Sequence, residues 1–212
     1  MIKIYIWGLS FGYMIKAVIF DYGGVLSEEG ELRTFGEMYA PKFNADPEEF
    51  NRVVIDAWNL ARVNKIHSRL FWRKLAGFLS TDEKTLREDF LDFFKGFRYE
   101  VLDLAKRLKK NYRLGLLSNQ IEDWLEEMIE NHKLKEVFDI IVTSYGSRVA
   151  KPDISIFKEV VEKLKVNPPE CVYIDDLEKN IPPAKKLGMK TILFSDFQQL
   201  KKELIKYKVK IN

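Results

Sequence analysis

Cysteine and histidine are scarce in this chain of 212 residues, which has one Cys and two His. A single cysteine excludes an intrachain disulfide and fits a reducing compartment, and Cys171, within an apolar run, is expected to be a small buried residue. His67 and His132 have no ligand-like spacing, which argues against a zinc site. No stretch reaches the roughly 20 apolar residues of a membrane span. We therefore expect a cytoplasmic protein without a membrane partner.

An excess of charge of either sign is also missing. The chain has 35 Lys and Arg against 32 Asp and Glu, a net charge of +3. Because the basic residues are interspersed with acidic ones, no nucleic-acid footprint is visible. An apolar content of 46% is sufficient for a globular core. The first residues, MIKIYIWGLSFGY, weakly resemble a signal peptide but lack a small-residue cleavage site, and a second MIK begins at Met14. We interpret residues 1–13 as an N-terminal extension.

Residues 30–97 form the first of two unlike regions. Apolar residues recur there at helical spacing, and no strand pattern occurs. The helical stretches are ELRTFGEMYA, DPEEFNRVVIDAWNLARV, SRLFWRKLAGFL and EKTLREDFLDFFKGF. Asp46-Pro47 and Ser80-Thr81-Asp82 are typical helix starts. We therefore predict a small helical domain whose Trp and Phe side chains form its core.

The rest of the chain alternates short apolar strands with helices. The predicted strands are AVIF, RLGLLS, FDIIVTS, CVYIDD and TILFS, and a helix follows each of the last four. Continuously apolar strands with intervening helices indicate a parallel sheet that is covered on both faces. The predicted fold class is α/β: a doubly wound, Rossmann-like core of residues 14–29 and 98–212, with the helical domain of residues 30–97 inserted after the first strand.

Chemically active side chains follow the strands of this predicted sheet. They are Asp21, Ser118, Asn119, Lys151, Asp175 and Asp176. In an open parallel sheet, ligands bind beyond the carboxyl ends of the strands. Each of these short patterns is common as a turn or a helix cap, but their joint occurrence on one sheet indicates a site.

These side chains can hold a cation next to an anion. Crowded carboxylates require a cation, and all-oxygen ligation favours a hard ion such as Mg²⁺. Ser118, Asn119 and the helix N-terminus after them offer donors to an anion. Lys151 adds a positive charge that can neutralise a phosphate. Together they predict phosphoryl chemistry through an Asp nucleophile.

The chain resembles the haloacid dehalogenase superfamily, specifically subfamily I, which has a helical C1 cap after the first strand. The motifs that carry the resemblance are VIFDYGGVL, GLLSNQ, VAKPDISIF and VYIDDLEKN, and it extends from Met14 to about Asp196. Among relatives, small sugar-phosphate phosphatases with first motifs like FDLGNV are the most alike. The resemblance implies a phosphatase that acts with Mg²⁺ on a small phosphorylated metabolite.

The resemblance also implies a role for each matching residue. Asp21 would be the nucleophile that forms an aspartyl-phosphate, and also a Mg²⁺ ligand. Lys151 would bridge Asp21 and the phosphoryl group, which Ser118 and the Asn119 amide would hold. The helical insert would close over the site, exclude water and select the substrate.

Further metal ligands are implied on two loops. The main-chain carbonyl of Gly23 would be one ligand and Asp176 another. Asp175 would bind through water or orient its neighbours from the second shell, and Asn180 would help to set the loop that carries both aspartates.

Gly23 departs from the pattern of the family's phosphatases. An Asp commonly stands there, two residues after the nucleophile, where it points the same way along the extended chain and reaches the leaving oxygen. That Asp protonates the leaving group and then activates water. Such general acid–base catalysis typically raises the rate by about 10²–10⁴-fold. Tyr22 should point to the other side and cannot replace it. We therefore expect slow turnover, biased towards good leaving groups.

Two other functions remain open at this stage. A 2-haloacid dehalogenase needs no phosphoryl acid, but the dehalogenases of this family work without metal, so the Asp175-Asp176 pair would be unexplained. A non-catalytic regulatory or binding protein would explain Gly23, but not the intact Asp21 and Lys151. The chain is expected to be a monomer or a homodimer.

Some residues of the helical insert could face the site. They are Trp58, Arg62, Lys65 and Arg69. A solvated helix face explains each of them equally well in a chain rich in charge, and we interpret them in that way.

Overall fold

A computed structural model describes residues 13–28 and 32–211. Apart from Tyr13, the predicted extension of residues 1–13 lies outside the described residues. The strands are β1 (Ala17–Phe20), β2 (Arg113–Ser118), β3 (Ile140–Thr143), β4 (Cys171–Asp175) and β5 (Lys190–Leu193). The helices between β1 and β2 are α1 (Leu32–Tyr39), α2 (Pro47–Ala61), α3 (Ser68–Leu79), α4 (Glu83–Phe93) and α5 (Tyr99–Leu108). Those after β2 are α6 (Glu122–Asn131), α7 (Leu134–Val137), α8 (Ser144–Ser147), α9 (Ile154–Leu164), α10 (Ile181–Lys186) and α11 (Phe197–Lys206).

The five strands form one parallel sheet in the order β3-β2-β1-β4-β5. β1 is its centre, where Phe20 pairs with Leu116 on one side and Ile174 on the other. All residues of β1 and β4 are buried, which explains why β1, and β4 up to Asp175, are continuously apolar in sequence. The predicted doubly wound α/β fold is confirmed, and Cys171 is buried on β4, as expected.

Helices α1 to α4, here called the inserted helices, lie in sequence between β1 and the core helix α5. Asp46 and Asp82 cap α2 and α4 by accepting the N–H of Glu49 and of Thr85, each at 2.8 Å. The inserted helices pack on an aromatic cluster that continues into the α/β core through Trp124 of α6, whose ring centroid lies 5.1 Å from that of Phe90. None of the described helices is long and apolar enough to cross a membrane.

The sequence interpretation missed three short or intermediate helices. Helix α5 was not predicted, although Val101, Leu102 and Leu108 give it a buried apolar face. The one-turn helices α7 and α8 flank β3 and shorten it to four residues. Thr143 ends that strand, because its Oγ1 accepts the N–H of Gly146 and caps α8.

The two connections between the core and the inserted helices run side by side. Ser27 and Phe97 form an antiparallel bridge. Arg98 N–H donates to Leu26 O at 2.7 Å, and its guanidinium donates to Gly24 O at 2.9 Å and to Ser27 O. Arg98 thereby fastens the turn after β1 to the second connection.

Candidate active site

Asp21 follows β1 directly, and its carboxylate lies at the carboxyl edge of the sheet. Its main-chain N–H donates to Ile174 O at 2.9 Å, which continues the pairing with β4 by one residue. Oδ1 accepts the N–H of Tyr22 at 2.7 Å and lies 2.7 Å from Lys151 Nζ. Among the described residues, none donates to Oδ2 of Asp21. One carboxylate oxygen is therefore held in place while the other is available for reaction.

Lys151 lies between two carboxylates. Its Nζ is 2.7 Å from Asp21 Oδ1 and 2.8 Å from Asp175 Oδ2, and it donates to Leu117 O at 3.1 Å. Burial alone lowers the pKa of Lys151, but the two carboxylates outweigh it, so the net shift is upward. The ammonium is therefore charged, and all three of its hydrogens have acceptors.

Asn119 binds the main chain of Lys151 with both ends of its side chain. Nδ2 donates to Lys151 O and Oδ1 accepts Lys151 N–H, both at 2.9 Å. The side-chain amide thus fixes the loop that carries the lysine and is occupied by that loop. The prediction that Asn119 holds a phosphoryl group is therefore restricted to its main-chain N–H.

Asp175 is a hub of hydrogen bonds. Besides Lys151, its carboxylate accepts the hydroxyl of Tyr173, the N–H of Leu177 at 2.8 Å, and Nδ2 of Asn180 at 3.0 Å from each oxygen. Burial raises the pKa of Asp175, but Lys151, Tyr173 and Asn180 outweigh it, and the net shift is downward. These donors are compatible with the predicted role of Asp175, which binds the metal through water or orients its neighbours, and that role stays a prediction.

Three carboxylates meet at this edge of the sheet. One oxygen from each of Asp21, Asp175 and Asp176 lies within 4.8 Å of the others. Burial raises the pKa of Asp21 well above its ordinary value, against the effect of Lys151, and the other two carboxylates raise it further. Burial and Asp175 raise the pKa of Asp176 to about 6. One ammonium does not balance this cluster, and a hard divalent cation fits it.

The turn after Asp21 contains Gly23 and Gly24, which differ in whether the structure requires glycine. Gly24 has φ +68° and lies against Asp176, whose Oδ2 would be 2.0 Å from an added Cβ. Only glycine fits there, because both the backbone conformation and the close carboxylate exclude a side chain. Gly23 has neither constraint: an added Cβ would have one neighbour within 4 Å, Gln120 Nε2 at 3.8 Å. Its carbonyl accepts no hydrogen bond from the described residues and is available as a ligand.

Ser118 ends β2 and is fully buried, and its Oγ has no hydrogen-bond partner within the described parts of the chain. An unpaired buried hydroxyl costs about 1–3 kcal/mol unless a bound group satisfies it. The predicted phosphoryl-binding role of Ser118 would provide that partner.

The structure corrects the interpretation of two residues in the inserted helices. A cavity at the sheet edge is lined by Asp21, Gly23, Asn119, Lys151 and Asp176, but also by Trp58 and Arg62. Both are half-buried, because the last turn of α2 lies over the edge of the sheet, and periodicity does not reveal such a tertiary placement. Lys65 and Arg69 are exposed, in agreement with a solvated face.

Gln120 was assigned no role from the sequence. It lines the cavity, and its Oε1 accepts Trp58 Nε1 at 3.5 Å, which leaves its Nε2 near Gly23. Its position directly after Ser118 and Asn119, at a strand end, was the signal that could have found it. Tyr22, as expected, packs away in the hydrophobic core beside Phe97.

Fold and site together define the class: a doubly wound α/β protein with a buried carboxylate–lysine–carboxylate cluster at the edge of its sheet. Residues 18–194 match the haloacid dehalogenase-like hydrolases. The chain belongs to this family and is a hydrolase.

Several characterised proteins are similar to this chain. It is 28% identical over 190 residues to a D-ribitol-5-phosphate phosphatase of Bacteroides thetaiotaomicron, covering 84% of this chain and 91% of that protein. It is 32% identical over 120 residues to a bifunctional epoxide hydrolase 2 of Sus scrofa; that match covers 53% of this chain and only 21% of the much longer hydrolase.

One solved structure carries ligands of interest. It is a mutant haloacid dehalogenase family enzyme from Bacteroides thetaiotaomicron in complex with magnesium and inorganic phosphate. The TM-score is 0.75 at 25% identity, and the match covers 88% of this chain and 98% of that one.

Proposed function

We propose that this protein is a Mg²⁺-dependent phosphatase that hydrolyses a small phosphorylated metabolite through an aspartyl-phosphate on Asp21. The observation that carries the proposal is the buried contact of Lys151 with Asp21 and Asp175, beside a third carboxylate and the unpartnered Ser118 hydroxyl. The similar ribitol-phosphate phosphatase and the magnesium–phosphate complex of a structural neighbour support the same chemistry.

The reaction has two displacements at phosphorus. A carboxylate oxygen of Asp21 attacks, the bond from phosphorus to the ester oxygen breaks, and the leaving oxygen takes a proton from water because Gly23 offers none. Water then attacks phosphorus, releasing phosphate and the Asp21 carboxylate. Ser118 and the main-chain N–H of Asn119 hold the phosphoryl oxygens, and Lys151 exchanges one of its three present acceptors for a phosphoryl oxygen. Mg²⁺, held by Asp21, Asp176 and the Gly23 carbonyl, would offset charge on the phosphoryl oxygens.

The inserted helices are proposed to act as the cap of this enzyme. The end of α2 contributes Trp58 and the following Arg62 to the cavity that also contains Asp21 and Asp176. A lid in that position excludes water from the aspartyl-phosphate and limits which leaving groups enter. The proposed location of the enzyme is the cytoplasm.

Metal removal tests the proposed function. We expect the protein to release phosphate from p-nitrophenyl phosphate and from D-ribitol 5-phosphate in the presence of Mg²⁺. EDTA should abolish release, because the crowded carboxylates then repel the phosphoryl group, and added Mg²⁺ should restore it. Turnover that survives EDTA would contradict the proposal. Mg²⁺ binding without turnover of either substrate would favour the non-catalytic alternative, which the missing acid at Gly23 supports.

Gly23→Asp should make the enzyme faster on poor leaving groups. A Cβ added at this position would have one close neighbour, Gln120 Nε2 at 3.8 Å, so the backbone here admits a side chain. An acid there can protonate an alkoxide, so we expect the hydrolysis of an alkyl phosphate to rise by about 10²-fold. The p-nitrophenyl ester should gain much less, since its leaving group needs little protonation.

The matched control for this variant is Gly23→Asn, which has the same size but no acidic proton. Phosphate release should be compared for both variants on the alkyl and the aryl ester. An equal gain in the two variants would show that the effect is packing rather than general acid catalysis.

A further inference from the structure

Arg62 is placed by the end of α2 and by the ring of Trp58. Its N–H donates to Trp58 O at 2.8 Å, which closes the last turn of the helix. Its guanidinium carbon lies 4.3 Å from the centroid of the Trp58 ring, a cation–π contact that holds the planar group over the indole. Both residues line the cavity that contains Asp21 and Lys151.

Within the described residues, no hydrogen bond or ion pair is formed by the guanidinium of Arg62. Its Nε is buried and has no acceptor in the described parts of the chain. Nor does any described carboxylate lie within ion-pair distance of Arg62, whereas Arg87 pairs with Asp123 and Glu127. Burial lowers the pKa of Arg62, with no carboxylate acting against it. A buried donor on a cation that has no acceptor is costly, and a bound ligand would remove that cost.

Residues other than Arg62 are available to bind the phosphoryl group of the substrate. Lys151 and Ser118 lie at the carboxyl edge of the sheet with Asp21, where the reacting phosphorus must sit. Arg62 directly follows α2 and belongs to the part of the cavity lining that the inserted helices contribute. With the phosphoryl group at the strand ends, the leaving group of a substrate would extend towards the lining that Trp58 and Arg62 contribute.

We propose that Arg62, stacked on Trp58, binds an anionic oxygen group on the leaving-group part of the substrate. The proposal rests on the proposed phosphatase function and narrows the substrate to phosphate esters that carry a carboxylate or a second phosphate close to the ester. A planar guanidinium is suited to both, since it presents paired N–H donors to either group. Binding of such an anionic group would also explain why the cationic Arg62 lines a cavity that already contains the charged side chains of Asp21, Lys151 and Asp176.

Matched substrates that differ in one group test this inference. Ethyl phosphate and propyl phosphate carry no second anion, and 2-phosphoglycolate and 3-phosphopropionate replace the terminal methyl by a carboxylate. Ethane-1,2-diol bisphosphate supplies a phosphate instead. We expect kcat/KM of the wild type to be about 10- to 100-fold higher for at least one charged member than for its neutral counterpart. Which charged member is preferred distinguishes the carboxylate from the phosphate.

Variants at position 62 connect that preference to the arginine. Arg62→Gln should bring the ratio of charged to neutral substrate close to one, whereas Arg62→Lys, which keeps the charge but not the planar stack, should retain part of it. Arg69→Gln is the control, because Arg69 is an exposed arginine of the next helix and should keep the wild-type ratio. An unchanged ratio in Arg62→Gln, or no preference in the wild type, would overturn the proposal and leave Arg62 as a packing residue.

Binding without turnover separates this inference from the proposed function. The Kd values of 3-phosphonopropionate and propylphosphonate, measured calorimetrically with Mg²⁺ present, should differ by about 10-fold or more in the wild type and much less in Arg62→Gln. These phosphonates cannot be hydrolysed at the phosphorus–carbon bond by this mechanism. A preserved difference in Kd without phosphate release from any ester would refute the phosphatase while retaining the anion site. Equal Kd values in an active enzyme would refute only the role of Arg62.

Discussion

Asp21→Asn is expected to lower phosphate release by about 10⁴-fold or more, which is the largest effect predicted for this protein. Asparagine keeps the size of the side chain, and its oxygen can still accept the N–H of Tyr22, now 2.7 Å from Oδ1. It lacks the negative charge of the nucleophile and supplies a weaker metal ligand. Removing a group that forms the covalent intermediate typically costs several orders of magnitude. The measurement is Mg²⁺-dependent release from p-nitrophenyl phosphate.

Asp196→Asn is the matched control for that experiment. Asp196 is an exposed residue that caps α11 by accepting the N–H of Gln198 and Gln199, each at 2.8 Å, and asparagine caps helices equally well. Its turnover should equal that of the wild type. If Asp21→Asn folds, as judged by circular dichroism, and still turns over at a similar rate, the covalent role of Asp21 is wrong.

Lys151→Met is expected to damage both activity and stability. The ammonium separates the carboxylates of Asp21 and Asp175, at 2.7 and 2.8 Å, and is buried with them. Without it, two buried carboxylates face each other uncompensated, which typically costs about 3–5 kcal/mol of unfolding free energy. Turnover should fall by about 10³-fold or more, because nothing else in this position neutralises the phosphoryl group. Urea denaturation and phosphate release measure the two effects.

The stability effect has its own control and its own consistency test. Lys163 pairs with Glu159 at 2.7 Å, but half of its side chain is exposed, so Lys163→Met should cost at most about 1 kcal/mol. In a background of Asp21→Asn, Lys151→Met should cost clearly less than in the wild type, because one of the two carboxylates is gone. Equal costs in both backgrounds would mean that the lysine acts through packing rather than through its charge.

The α/β core was predictable from the sequence because its pattern is local. β1 is apolar along its whole length and β4 up to Asp175, and the intervening helices carry their own start and stop signals, such as Gly188 with φ +94° beyond α10. Helix α5 was missed because its short amphipathic pattern follows the long inserted segment without a capping side chain. The ends of β3 were misplaced because a capping threonine, not a turn residue, stops it.

The reacting side chains could also be named from the sequence. Parallel strands bring their carboxyl ends to one edge, so the residues that follow β1, β2 and β4 must meet. The structure brings Asp21 and Lys151 into contact there, and Ser118 is the last residue of the neighbouring strand β2. Their catalytic roles stay predictions until turnover is measured.

What the sequence determined by itself is the parallel sheet and the reactive side chains at its strand ends, since these follow from periodicity and from the rules of parallel pairing. What only the tertiary structure decided is the part of the cavity lining that the inserted helices contribute. Trp58 and Arg62 occur at the end of a helix whose pattern is compatible with full solvation. Only the placement of that helix end beside the strand ends makes Arg62 half-buried, with no partner for its Nε among the described residues. The tertiary structure also shows what the Asn119 side chain binds, which is the main chain of Lys151, 32 residues away in sequence. Packing between segments that are distant in sequence cannot be predicted from the local spacing of apolar residues, because the burial of a side chain depends on which surface its helix contacts.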